Sequence, residues 1–143
     1  MDLHITSLLV RENGQTMVDP TNQTVINSSF DLQELLPGII KPQERVLLST
    51  EETVELRERT CGLIFLRSTW ARLGFMSPTT IVDPGFKGTL TMSLFNCSSH
   101  SIILRPRESI WSLVILPVLD ESLLLYSGRY QGQMELQLPK EVE

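Results

Sequence analysis

Residues 89–116 read TLTMSLFNCSSHSIILRPRESIWSLVIL, and their texture decides the fold class. Leu90, Met92 and Leu94 alternate with Thr91 and Ser93 over Thr89–Asn96. Period-two alternation puts apolar side chains on one face of a strand. Ser101–Leu104 and Ile110–Leu116 are two more short apolar runs. Asn96–His100 reads as a turn joining antiparallel neighbours. Leu104–Ser109 reads as the next turn, with Pro106 blocking continuation. Upstream, Glu44–Thr50 and Gly62–Leu66 repeat the pattern. Apolar runs punctuated about every ten residues by Pro, Gly, Asn and Ser predict an all-β sandwich or barrel.

Helix signals are sparse. Ser68–Leu73 predicts one short helix, begun by a Ser68 cap and stopped at Gly74. Asp31–Leu36 predicts another short turn, closed by Pro37-Gly38. Glu51, Glu52 and Glu55 form an acidic cluster that reads as a solvated loop or edge. The 143 residues, 1–143, show no repeat or low-complexity break and predict one domain.

Composition narrows the function classes. Formal charge is −5, which argues against a broad nucleic-acid-coating surface while allowing a small anion site. No apolar run of about 18 residues is present, so no transmembrane helix and no membrane partner are expected. Met1-Asp2-Leu3-His4 lacks the basic start of a secretory signal, and a cytoplasmic location is expected. Cys61, Cys97, His4 and His100 are not at metal-ligand spacing, so no zinc site is expected. A Cys61–Cys97 disulfide is possible, but reduced thiols are the simpler reading.

Three polar constellations could carry chemistry. Arg67-Ser68-Thr69 with Arg72 offers a guanidinium, hydroxyls and N–H groups suited to phosphate oxygens; a capped surface helix would look the same. Asp83, before Pro84-Gly85, could orient a sugar hydroxyl or act as a base toward water, with Phe86 supplying a packing face. An ordinary Asp-Pro-Gly turn is the bland alternative. Arg129-Tyr130-Gln131-Gly132-Gln133 could close over a polyphosphate or be a plain loop. Leu123-Leu124-Leu125-Tyr126 is an apolar stretch suited to covering either the protomer's own core or a neighbour.

In order and spacing these elements resemble the trimeric dCTP deaminase and dUTPase superfamily, nearest to archaeal-type dCTP deaminases and bifunctional deaminase–dUTPases. The family's RSSxARLG is similar to Arg67–Gly74, its TIVDxGFxG to Thr80–Gly88, and its KYQGQ to Arg129–Gln133. Weaker similarity runs through Ser28–Leu32 and Pro42–Glu52. The resemblance implies a distorted β-barrel or jelly-roll of dUTPase type, in homotrimers with sites between subunits. It also implies cytosolic work on dUTP or dCTP, with Mg²⁺ carried on the triphosphate and no zinc. By position, it implies phosphate contacts from Arg67, Ser68 and Thr69 and a triphosphate clamp from Arg129, Tyr130 and Gln133. Arg72 would lie near the reacting centre. Asp83 would hold the 3′-hydroxyl or position water, and Phe86 would pack near the sugar. Main chain around Pro78–Val82, including Thr80 and Val82, would frame the base.

Counting on from Gly88, the position of the deaminases' catalytic Glu is Ser93. A hydroxyl is no base near neutral pH. That substitution points first to a dUTP diphosphatase based on Asp83. A dCTP deaminase and a non-catalytic nucleotide-binding trimer are the alternatives. Gln33 in place of the family's Arg and Glu135 in place of a Gly are further departures, and the Gly-rich dUTPase tail is absent.

Overall fold

The structure is a computed structural model that describes residues 1–14, 17–34, 37–119 and 125–142. The strands are β1 (Asp2–Glu12), β2 (Phe30–Glu34), β3 (Gly38–Ile40), β4 (Arg45–Thr50), β5 (Val54–Glu55) and β6 (Thr60–Leu66). They continue as β7 (Phe75–Met76), β8 (Thr80–Val82), β9 (Lys87–Gly88), β10 (Thr91–Asn96), β11 (Ile102–Leu104) and β12 (Ser109–Pro117). Two short helices, α1 (Gln23–Ser28) and α2 (Ser68–Arg72), complete the described elements. The all-β expectation holds.

The main sheet runs β7-β10-β4-β1-β12-β6-β8, with β2 added alongside β1. β1 is central: its start pairs with β12 and its second half with β2, while β4 lies along the other side. Its register shifts between Leu3 and His4 and again between Ile5 and Leu9, and such bulges let one strand serve several partners. Two small sheets, β11-β3 and β5-β9, close the ends.

The core lies within this curled sheet. Leu3, Ile5, Leu48, Ile64, Leu94, Ile110 and Trp111 are completely buried. Each aliphatic member contributes about 1.5–3 kcal/mol relative to exposure. The outer face of β6, β8 and β12 is different. Leu63 faces Val114 and Ile81 in register, and Phe65, Ile81 and Val114 are exposed at 42%, 62% and 43%.

Several local expectations change. Asp31–Leu36 does not form a helical turn: Phe30–Glu34 is the strand β2, and residues 35–36 lie outside the described ones. The helix sits earlier, where the Asn22 side chain accepts from Thr24 and Val25 N–H groups and so caps α1. Ser68 is not the cap of α2: Arg67 occupies that position without a side-chain bond. Gly74, at φ +98°, follows the helix end as expected.

Asn96–His100 does not join paired neighbours either, because β10 pairs with β4 and β7 while β11 pairs with β3. The buried Asn96 side chain explains the departure. Its Nδ2 donates to Ile40 O (3.0 Å) and His100 O (2.8 Å), and its Oδ1 accepts from Ser98 N and Oγ. The acidic cluster spans a bend and the short strand β5, and each member has a side-chain partner: Glu52 meets His4 at 2.5 Å, Glu51 meets Arg107 at 3.4 Å and Glu55 meets Lys87 at 3.0 Å. Leu123 and Leu124 lie outside the described residues, while Leu125 is exposed and Tyr126 packs edge-on against Phe86, ring centroids 5.6 Å apart.

Candidate functional site

A cavity of about 440 Å³ opens where three parts of the chain meet. The first part is β8 and its turn, which contribute Thr80, Ile81, Val82, Asp83 and Phe86. The turn closes through Phe86 N–H to Asp83 O at 3.2 Å, leaving Asp83 exposed and Phe86 buried. The second part is β10, whose Thr91, Met92 and Ser93 form another wall. The third is the C-terminal arm, with Tyr126, Tyr130, Gln133, Gln137, Leu138 and Pro139.

The arm is tied to the sheet by specific bonds. Thr89 N–H donates to Gln133 O (2.8 Å), Gly132 N–H to Lys87 O (2.7 Å) and Gln133 Nε2 to Thr89 O (2.5 Å). Gln137 N–H donates to Thr91 Oγ1 at 3.0 Å. Gly88 makes this approach feasible: a Cβ there would lie 2.6 Å from Gln133 O, and its φ is +154°. Gln133 Oε1 is buried without a partner.

Ser93 is half-buried, and its backbone is held by a relay. Trp111 Nε1–H donates to Ser77 Oγ at 2.9 Å, and Ser77 Oγ–H donates to Ser93 O at 2.7 Å. Among the described residues, the cavity lining holds one charged side chain, Asp83. Such a lining suits a largely uncharged ring and sugar, with one carboxylate available for hydrogen bonding or proton transfer.

Of the residues singled out in the sequence, Thr80, Val82, Asp83, Phe86, Ser93, Tyr130 and Gln133 meet at this cavity. Arg67, Ser68, Thr69, Arg72 and Arg129 do not line it. The first four lie on or beside α2, which is moored by Trp70 Nε1–H to Ser109 O at 2.8 Å. Arg67 donates to Ser109 Oγ at 2.9 Å and forms an ion pair with Asp2. That guanidinium, aided by Ser112, holds the Asp2 carboxyl below its ordinary value. Arg129 donates to the Glu141 carbonyl. Leu90, Thr91, Met92 and residues 137–139 are lining residues that no motif singled out.

A family model described as dCTP deaminase-like matches residues 2–118. The chain belongs to the dCTP deaminase-like family. A dCTP deaminase from Aeropyrum pernix is 41% identical over 102 residues, covering 71% of this chain and 57% of that protein. The chain spans 57% and 60% of the length of the first two curated relatives matched. In fold, this member of the dCTP deaminase-like family is similar to 2′-deoxycytidine 5′-triphosphate deaminase from Agrobacterium tumefaciens. That match has a TM-score of 0.68 at 14% identity, covering 83% of this chain and 39% of that one. It is also similar to EIAV dUTPase, with a TM-score of 0.54 at 17% identity over 85% of this chain and 98% of that one. The dUTPase-like β fold expected from the motifs is therefore the fold of the chain.

Proposed function

We propose that this chain binds a pyrimidine deoxynucleoside triphosphate in the cavity and acts on it as a dCTP deaminase. The observation that carries the reading is Asp83, the one charged side chain among the described lining residues. The curated relatives are named dCTP deaminase, which supports deamination over the dUTP diphosphatase that the sequence suggested first. In this reading water attacks C4 of cytosine and its oxygen bonds to that carbon. Asp83 takes a proton from the water and passes it to N4, and the remaining hydroxyl proton moves to N3 as the C4 carbonyl forms. The C4–N4 bond breaks, and ammonia leaves with dUTP as the product. Phe86 packs beside the sugar, and Thr80 and Val82 frame the base.

Ser93 favours a second reading, dUTP hydrolysis to dUMP and pyrophosphate, in which Asp83 orients water toward the α-phosphate. Among the described residues no group of three His, Cys, Asp or Glu side chains is placed to hold a metal. Mg²⁺ would be carried on the triphosphate, where it would neutralise phosphate charge, and we assign it no protein ligand.

The phosphates need cations that the cavity's described lining lacks. We therefore place a neighbouring copy's Arg67, Ser68, Thr69 and Arg72 over the triphosphate, with the same chain's Arg129, in a homotrimer. The exposed face of Phe65, Ile81 and Val114 is suited to burial between copies. Sedimentation checks this: Val114→Glu should shift a trimer toward monomer, and a wild-type monomer at micromolar concentration would sink it. A cytoplasmic setting accords with Cys61 and Cys97 both being free.

The deciding experiment is ¹H and ³¹P NMR of the protein with Mg²⁺ and dCTP, then dUTP. Conversion of dCTP to dUTP, lost in Asp83→Asn, supports deamination. Pyrophosphate from dUTP moves the assignment to the second reading. Line broadening without turnover would mark a binding protein, and neither turnover nor broadening would discard the nucleotide reading.

A further inference from the structure

One wall of the cavity, Leu138 and Pro139, belongs to an arm segment that lies outside the sheet ladders. Its near end is stitched to Lys87, Thr89 and Thr91. Its far end is held from an unexpected place, the first turn of α1. Gln23 Nε2 donates to Pro139 O at 3.0 Å, and Gln23 Oε1 accepts from Glu141 N at 2.8 Å. The Gln23 backbone N–H donates to Glu141 Oε2 at 3.2 Å, and Val142 N–H donates to Pro20 O at 2.7 Å. Gln23 therefore binds the arm on both sides of residue 140, across 116 positions of sequence from Pro139.

The side chain is itself pre-set. The second Nε2 proton is directed at Asn27 Oδ1, 2.8 Å away and one helical turn on. The helix under it starts at a fixed point because Asn22 caps it. An amide offers two donors and an acceptor in one plane, and all three are engaged here. Further ties on the arm's far end are internal: Lys140 N–H donates to Tyr130 OH at 3.1 Å, Lys140 Nζ lies 5.1 Å from the Tyr130 ring centre and donates to Arg129 O, and Arg129 donates to Glu141 O. Tyr130 lines the cavity too, so a far end that loosens at residues 139–141 would carry Tyr130, Leu138 and Pro139 away together.

We propose that Gln23 is a positioning residue for the cavity, fixing the Leu138–Pro139 wall in place before ligand arrives. The proposal rests on the reading of the cavity as the nucleotide site. Gln23 does not itself line the cavity; it acts through the arm. Holding a wall in its bound conformation removes an ordering cost from binding.

The test is Gln23→Ala, a change that favours the helix. Amide hydrogen exchange is measured first without nucleotide. Exchange at 131–142 should quicken roughly tenfold or more, the scale set by loss of two side-chain hydrogen bonds, with Val46–Leu48 and Ile64 unchanged. The affinity for dCTP should then fall about three- to tenfold, mainly through faster dissociation. Gln23→Met, which keeps bulk and loses the bonds, should behave like Gln23→Ala. Unchanged arm exchange, or a wild-type-like Gln23→Met, overturns the proposal. A loosened arm with undiminished dCTP affinity overturns it as well. If wild-type protein binds neither dCTP nor dUTP, the nucleotide reading fails, and the exchange data still decide whether Gln23 fixes the wall.

Discussion

Ser93→Glu is the sharpest probe of the chemistry. Ser93 and Asp83 line the same cavity of about 440 Å³. Two carboxylates on the walls of one cavity would repel each other, so the test is made in the Asp83→Asn background, which also removes the proposed base. The new side chain projects from β10, whose backbone Ser77 and Trp111 hold at Ser93 O, and the cavity has room for the added atoms. A positioned general base is worth about 10²–10⁴ in rate. At 1.36 kcal/mol per decade this is a barrier lowered by about 3–5 kcal/mol. In the Asp83→Asn background, Ser93→Glu should therefore raise dCTP deamination about 10²–10⁴-fold. Ser93→Gln, similar in size but unable to take the proton, should show no such gain. The assay follows the cytosine H6 resonance of dCTP and the release of ammonia. A folded Asp83→Asn/Ser93→Glu variant that binds dCTP and turns it over no faster than Asp83→Asn would refute the reasoning.

Gly88→Ala should dislodge the arm, because its Cβ would stand 2.6 Å from Gln133 O and 3.0 Å from Gln133 N. The three hydrogen bonds joining Lys87 and Thr89 to residues 132–133 would be lost or strained, about 2–4 kcal/mol in all; an unchanged urea midpoint would contradict this. Asp2 gives a pH signature. Its carboxyl is lowered in the folded protein by hydrogen bonding to Arg67. Its contribution is therefore complete above the ordinary value of 3.8 and is lost as pH falls through the lower folded value. Its ¹³C carboxyl titration should accordingly lie below 3.8, and Asp2→Asn should remove that part of the acid dependence; a midpoint at or above 3.8 would refute the pairing.

Strands with a strict inside and outside were legible. Thr91–Asn96 alternates in sequence and in burial, and the apolar Ile110–Leu116 run falls within β12. Pairing was less so, because it depends on distant partners. The Cys97–Ser99 turn looks local, yet Asn96 turns inward to bind Ile40 O, 56 positions earlier in the chain. Phe30–Glu34 is mostly exposed and takes strand form through its ladder with β1, not through its own pattern. At the site, the Asp83 turn and Ser93 could be found by motif, since they stand close in sequence to the strands that present them. Residues 137–139 could not. Their place comes from the stitching of the arm to Thr91 and α1, and neither Gln137 nor Pro139 carries a local signal for it.

The central position of β1 has a kinetic consequence. Leu3 pairs with Trp111, and the Met1 amino group donates to Leu113 O across 112 positions. Closing a loop of that length costs about 4 kcal/mol of chain entropy before any contact compensates. β1 is thus among the last strands to gain its full set of neighbours, although it comes first along the chain. Folding should run on the slow, millisecond-to-second scale of non-local β topologies. Until β12 arrives, the Leu3–Ile5 segment presents an unpaired apolar edge, the point at which an incompletely folded molecule would be captured by a chaperone or by another unfinished chain.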